Sequence, residues 1–191
     1  MLKPSNYEEV QVGGDFTPIE LGGHYAVIKN VSERMSSTGK PMAVVSIDFD
    51  KKDAQPGYFT EQFKKDIRPE KKYPYQAVQY ILSEDADGKC SRNFKSFIKA
   101  VEDSNPGMTI QWGDGFATQF KNKKIGVVYG NVEEEYNGET KMRRRIRWFC
   151  DYNKVNLQGV PDDKLIPASS SKPASAPVDM TSATEEEIPF D

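Results

Sequence analysis

Apolar residues at alternate positions mark the strands of this chain. In the segment 42–49, Ala43, Val45, Ile47 and Phe49 form one apolar set and Val44, Ser46 and Asp48 lie on the other side. That is the pattern of a strand with one buried and one half-exposed face. The segment 24–31, rich in aromatic and β-branched residues, predicts a strand before it. The polar run 32–40, with its Thr38-Gly39 turn signal, joins the two as a hairpin with a long basic loop. Tyr58 to Phe63 reads as a helical turn, 68–72 as loop, and 75–82 as a third strand closed by 85–88.

The period then changes from two to 3.6. Phe94, Phe97, Ile98 and Val101 fall at i, i+3, i+4 and i+7 behind a candidate N-cap, Ser91, and Ser104-Asn105-Pro106-Gly107 stops the helix. After a turn region at Trp112-Gly113-Asp114-Gly115, the segments 125–133 and 140–150 predict two strands around Asn137-Gly138, a strong two-residue hairpin signal. Strand, strand, strand, helix, strand, strand is the order of the five-stranded OB-fold barrel, a mainly β class that often binds oligonucleotides. Fold analogy alone does not assign function.

The last strand carries the most informative chemistry. Lys141, Arg143, Arg145 and Arg147 share one face by period two, and Met142, Ile146, Trp148 and Cys150 share the other, apart from Arg144. With Asn137-Gly138 as the turn, Tyr129 faces Ile146, Lys141 faces Glu134, and Val128 and Gly130 face Arg147 and Arg145. This register places Val127, Tyr129, Ile146 and Trp148 in the core. Glu134 neutralises Lys141, and Arg145 and Arg147 have no acid opposite. Four like charges in period two repel one another unless an anion lies over them, which points to phosphate; the plainer alternative is a solvated edge. Arg143, Arg145 and Arg147 lead the phosphate candidates, with Arg34 and Lys40 in the first hairpin and Lys121 and Lys123 before the fourth strand.

Aromatics supply the other half of a single-strand site, because every base has a π face. The stacking candidates are Tyr58, Phe59, Tyr73, Tyr75 and Trp112; an ordinary core role is the alternative for each. Tyr73 and Tyr75, flanking Pro74 in a basic loop, look least like core.

Composition sharpens this picture. The 191 residues hold 26 Lys and Arg against 29 Asp and Glu, a net charge of −3. Residues 167–191 contain one base and five acids, net −4, so the remainder, with 25 bases and 24 acids, stands at +1. The acidity belongs to the tail, and a one-sided basic face on the body can still attract a polyanion. The run 167–177 has no aromatic residue and no aliphatic residue larger than Ala and reads as a disordered tether. Residues 1–166 are thus expected to form the folded domain with an N-terminal extension, and 167–191 a linker and tip. Two cysteines and one histidine, His24, offer no metal-ligand spacing. No cofactor, metal or catalytic residue is expected. Asp48 and Asp50, at i and i+2, have a spacing seen in metal-dependent nucleases, but an ordinary turn role accounts for them. No apolar run approaches a membrane span, and no leader pattern opens the chain, so a soluble, unexported protein is expected.

The block Asn93-Phe94-Lys95, Phe97-Ile98, Val101-Glu102 and Ser104-Asn105-Pro106-Gly107, together with Ser36 to Met42, resembles single-stranded DNA-binding proteins of phages and mobile elements of Gram-positive bacteria. The likeness spans about residues 20–166. It implies an OB fold that coats single strands in replication or recombination in the cytoplasm of a bacterial host, with a homo-oligomer among the expected partners. Glu185-Glu186-Glu187-Ile188-Pro189-Phe190 is similar to the acidic tip of bacterial single-stranded DNA-binding proteins, which docks replication and repair enzymes. Acids would steer it to a basic patch, where Ile188 and Phe190 fill a pocket. One departure is Asp191, which takes the α-carboxylate off the phenylalanine. An RNA-binding or protein-binding OB module of a replication complex is the alternative reading.

Overall fold

The structure, a computed structural model, describes residues 17–167 together with Lys3 and Ser5. The proposed tether beyond Pro167 and the tip at Glu185 to Phe190 lie outside the described residues. Five antiparallel strands form one sheet: β1 (Gly22–Met35), β2 (Pro41–Phe49), β3 (Val78–Leu82), β4 (Lys124–Tyr136) and β5 (Glu139–Cys150). Their spatial order is β3-β2-β1-β4-β5. Helix α1 (Tyr58–Lys65) lies between β2 and β3 in sequence, and α2 (Arg92–Ser104) between β3 and β4. Among the described residues no helix is long and apolar enough to cross a membrane.

The alternating set of β2 is the centre of the core. Ala43, Val45, Ile47 and Phe49 are buried against Ile28 and Val31 of β1, Ile125, Val127 and Tyr129 of β4, and Ile146 of β5. Phe94, Phe97, Ile98 and Val101 of α2 close over them. Each such side chain contributes on the order of 2 kcal/mol of transfer free energy. Ser91 caps α2 by accepting from the Phe94 amide at 3.2 Å. At the other end, the Asn105 side chain donates to the carbonyls of Val101 and Lys124 and accepts from the Lys124 amide. The Ser-Asn-Pro-Gly block therefore stops the helix and fixes the start of β4.

The sheet curls. Helix α2 touches β3, β4 and β5, and the Tyr129 hydroxyl of β4 donates across the interior to the carbonyl of Gln76, just before β3, at 2.8 Å. β3 and β5 remain the two edges, with no strand pairing between them among the described residues. Asn137 and Gly138 both take positive φ, 53° and 77°, as the tight turn of the β4–β5 hairpin requires.

The β4–β5 register follows the expected pairing from Tyr136 opposite Glu139 to Tyr129 opposite Ile146, and then slips by one. Arg147 is the extra residue of a bulge, so Val128 faces Trp148 and Val127 faces Phe149. Beyond the bulge the faces exchange. Phe149 packs against the core and Trp148, expected inside, is 40% exposed. Met142, on the same apolar face by period two, is exposed where the hairpin runs past the packed part of the sheet.

The chain after β5 covers the outside of β4. A short 3-10 turn, Tyr152–Leu157, seats Val155 over Gly126, where a Cβ would lie 2.8 Å from Val155 and 2.6 Å from the Cys150 sulfur. Lys164 then bridges Val132: its amide donates to the Asn131 carbonyl at 3.0 Å, and the Glu133 amide donates to its carbonyl at 2.8 Å. This segment lies beside β4 where the β1 ladder has ended at Gly22 opposite Tyr129.

Candidate functional site

The outer face of β1, β2 and β3 is built from three cross-strand rows. Arg34, Met42 and Leu82 form the first, Ser32, Val44 and Tyr80 the second, and Asn30, Ser46 and Val78 the third. None of these nine positions is acidic. Tyr80 is 61% exposed. Lys29, the extra residue of a bulge in β1, is exposed at the end of the third row. Tyr80 was missed as a stacking candidate. The signal was present in the third strand's alternation, which turns Ile81 inward and Tyr80 outward.

Tyr80 and Trp148 also line one cleft between the edges of β3 and β5, whose charged lining is Arg92 and Arg147 with Glu84 and Asp85. The β5 bulge brings Trp148 there, and no periodicity rule applied to 140–150 would have found it. Arg34 lines a second groove with Met42, Phe94 and Trp112. In it the exposed Trp112 ring stacks on Phe116 at 5.4 Å between centroids and 14° between planes. Lys40 donates to the carbonyl of Asp85, linking the first hairpin to the loop before α2. Lys123 lines a separate depression beside 104–109, and the exposed Lys121 follows the turn Phe116–Phe120. Neither lysine lines the two clefts that hold the arginines.

The β5 cations divide into different roles. Arg145 has an acid partner after all: Glu134 reaches diagonally and accepts from Nε and Nη2 at 2.5 and 2.8 Å. That hydrogen bond holds the Glu134 carboxyl below the usual range. Lys141 pairs with Glu139 at 2.5 Å instead of with Glu134. Arg147 donates to the carbonyls of Asn131 and Asp162, so it secures the segment beside β4. Arg144 donates to the Ile19 carbonyl. Arg143 is exposed opposite Val132 and has no hydrogen bond or ion pair among the described residues.

The aromatic candidates separate as sharply. Phe59 is fully buried, which removes it from any surface role. Tyr73, expected at the surface, packs against the core, and its hydroxyl donates to the Ile47 carbonyl at 3.0 Å. Burial pushes its pKa up. Tyr58 is half-buried against Phe49 and Phe59, and its hydroxyl donates to the Thr17 carbonyl. Tyr75 and Trp112 alone among the five present exposed rings.

Asp48 has a role beyond a turn. Its carboxylate accepts from the amides of Phe59 and Thr60 and from the Thr60 hydroxyl. It caps α1, whose own N-cap position, Gly57, has no side chain to do so. Among the described residues no group of three or more His, Cys, Asp or Glu side chains gathers as metal ligands would. No protein-family model matches the chain, and no curated protein matches it.

Proposed function

We propose that this chain is a non-enzymatic, largely sequence-independent binder of single-stranded DNA, its curled sheet acting as an OB-type barrel. The observation that carries the reading is the set of three acid-free cross-strand rows on the outer face of β1, β2 and β3, with the exposed Tyr80 lining one cleft with Trp148 and with Arg34 in the end row. Exposed rings on a pleated surface give bases a stacking partner, and nearby cations without acid partners attract the backbone. Arg143 is the strongest phosphate contact on β5. The −4 tail fits the second half of the proposal: it recruits replication or recombination proteins through Glu185 to Phe190, and its acids can compete with DNA for a cationic face.

Titration of the full chain with oligo-dT, followed by the fluorescence of Trp112 and Trp148, tests this. Log affinity should fall linearly with log salt, by about 0.7 per phosphate contact. A flat salt response overturns the reading, and tighter binding of oligo-U reassigns the substrate to RNA.

A further inference from the structure

Arg145 stands between an acid and a ring. Its fork donates twice to Glu134, and its guanidinium carbon lies 4.0 Å over the centre of the Tyr75 ring. A planar guanidinium turns its fork to the carboxylate and its face to the ring at once, a geometry an ammonium lacks. Tyr75 opens the short turn Tyr75–Ala77 after Pro74. The next carbonyl, of Gln76, is held by the Tyr129 hydroxyl from within the core. The ring is therefore fixed through its backbone and against one cation, yet it remains 50% exposed. It also walls a depression that contains Phe63, Lys72 and Pro74.

A ring held rigid, half exposed and beside a lysine is what base stacking needs, because the ordering cost is met before the base arrives. An arginine whose fork and charge are already paired with a carboxylate is poorly placed to take a phosphate. The geometry points to Tyr75 as a base-stacking platform, with Arg145 as the positioning residue that braces its ring and Glu134 as the lock that keeps Arg145 there. This rests on the single-strand reading above. It reverses the assignment of Arg145 as a phosphate contact and leaves that role on β5 to Arg143.

The test is oligo-dT affinity of the full chain across a salt series, for the wild type and for Tyr75→Ala, Arg145→Ala, Arg145→Lys and Arg143→Ala. Tyr75→Ala should weaken binding roughly tenfold, the scale of one stacked base. Arg145→Ala should weaken it by a similar factor without changing the salt slope, and the double variant should be no weaker than Tyr75→Ala alone. Arg145→Lys, which keeps the charge and loses the fork, should recover less than half of the lost affinity on a logarithmic scale. Arg143→Ala should reduce the slope by about 0.7. The inference is overturned if Arg145→Ala reduces the slope as Arg143→Ala does, if Arg145→Lys restores wild-type affinity, or if the Tyr75 and Arg145 effects add. Should Arg145→Ala fail to fold, Arg145→Lys and its combination with Tyr75→Ala carry the same comparison. A wild-type chain that shows no salt-dependent binding overturns the single-strand reading itself, a result distinct from each of these.

Discussion

Arg147 donates to the main-chain carbonyl of Asp162 across 2.7 Å, and this bond joins the β5 bulge to the segment that flanks β4. The close fit beneath it depends on Gly130, where a Cβ would lie 2.5 Å from Pro161 and 2.9 Å from Arg147. The guanidinium thus supplies a donor to a carbonyl that the Lys164 bridge does not use. A charged donor on a backbone carbonyl is worth more than a neutral one.

Arg147→Ala should therefore loosen the segment 161–166 and leave the rest of the sheet intact. Hydrogen exchange is expected to speed up at the amides of Lys164 and Glu133, which make the bridge. The global loss should be about 1 kcal/mol. Unchanged protection at these two amides would show that the bridge stands without the arginine.

Asp48→Ala removes the acceptor for two amides at the start of α1 and for one hydroxyl. The expected loss is about 2 kcal/mol by urea unfolding, the scale of a helix cap combined with a stranded buried donor. Asp48→Asn keeps one accepting oxygen and should lose roughly half as much. Equal losses for Ala and Asn would mean that the carboxylate charge, acting on the helix dipole, is what matters.

His24 provides the pH dependence. Its Nδ1 lies 3.0 Å from an Asp53 carboxylate oxygen and its Nε2 lies 2.9 Å from the Glu20 carbonyl, so both nitrogens face acceptors. Burial works against the charged form, but the bonds to Asp53 and Glu20 outweigh it and raise the pKa above 6.5. A raised folded-state pKa adds stability that is fully present below the unfolded value and is lost as pH climbs through the folded one. The denaturation midpoint should fall as pH rises above 6.5 in the wild type, and the fall should be smaller in His24→Gln. A parallel decline in both would place the dependence elsewhere.

How much of this was legible in the sequence depended on whether a pattern is local. The alternation of Ala43, Val45, Ile47 and Phe49, the α2 stripe and the Asn137-Gly138 turn each express one element's own period, and each forms as read. The β5 bulge does not, because one extra residue at Arg147 exchanges the faces of everything after it without altering the composition. Glu134 likewise lies diagonally from Arg145, a contact that depends on side-chain reach and not on register. Phe59, read in a helical turn as a stacking candidate, is buried because Asp48, eleven residues earlier on another element, caps that turn onto the core.

Tyr80 offers the sharpest separation of surface role from structural role. Its ring stands on the outer face opposite Val44, so removing it takes little buried area from the fold, and Tyr80→Ala should change stability by no more than about 0.5 kcal/mol. If bases stack on this face, oligo-dT affinity should nonetheless fall roughly tenfold at an unchanged salt slope, since a neutral ring releases no counterions. Tyr80→Phe keeps the π face and should bind nearly as the wild type does. Phe59→Ala is the converse: it empties a buried site and should lose about 3 to 5 kcal/mol of stability. A Tyr80→Ala chain that folds and binds oligo-dT normally would remove the β1–β2–β3 face from the site and leave the Tyr75 and Arg143 side of the molecule as the remaining path for the strand.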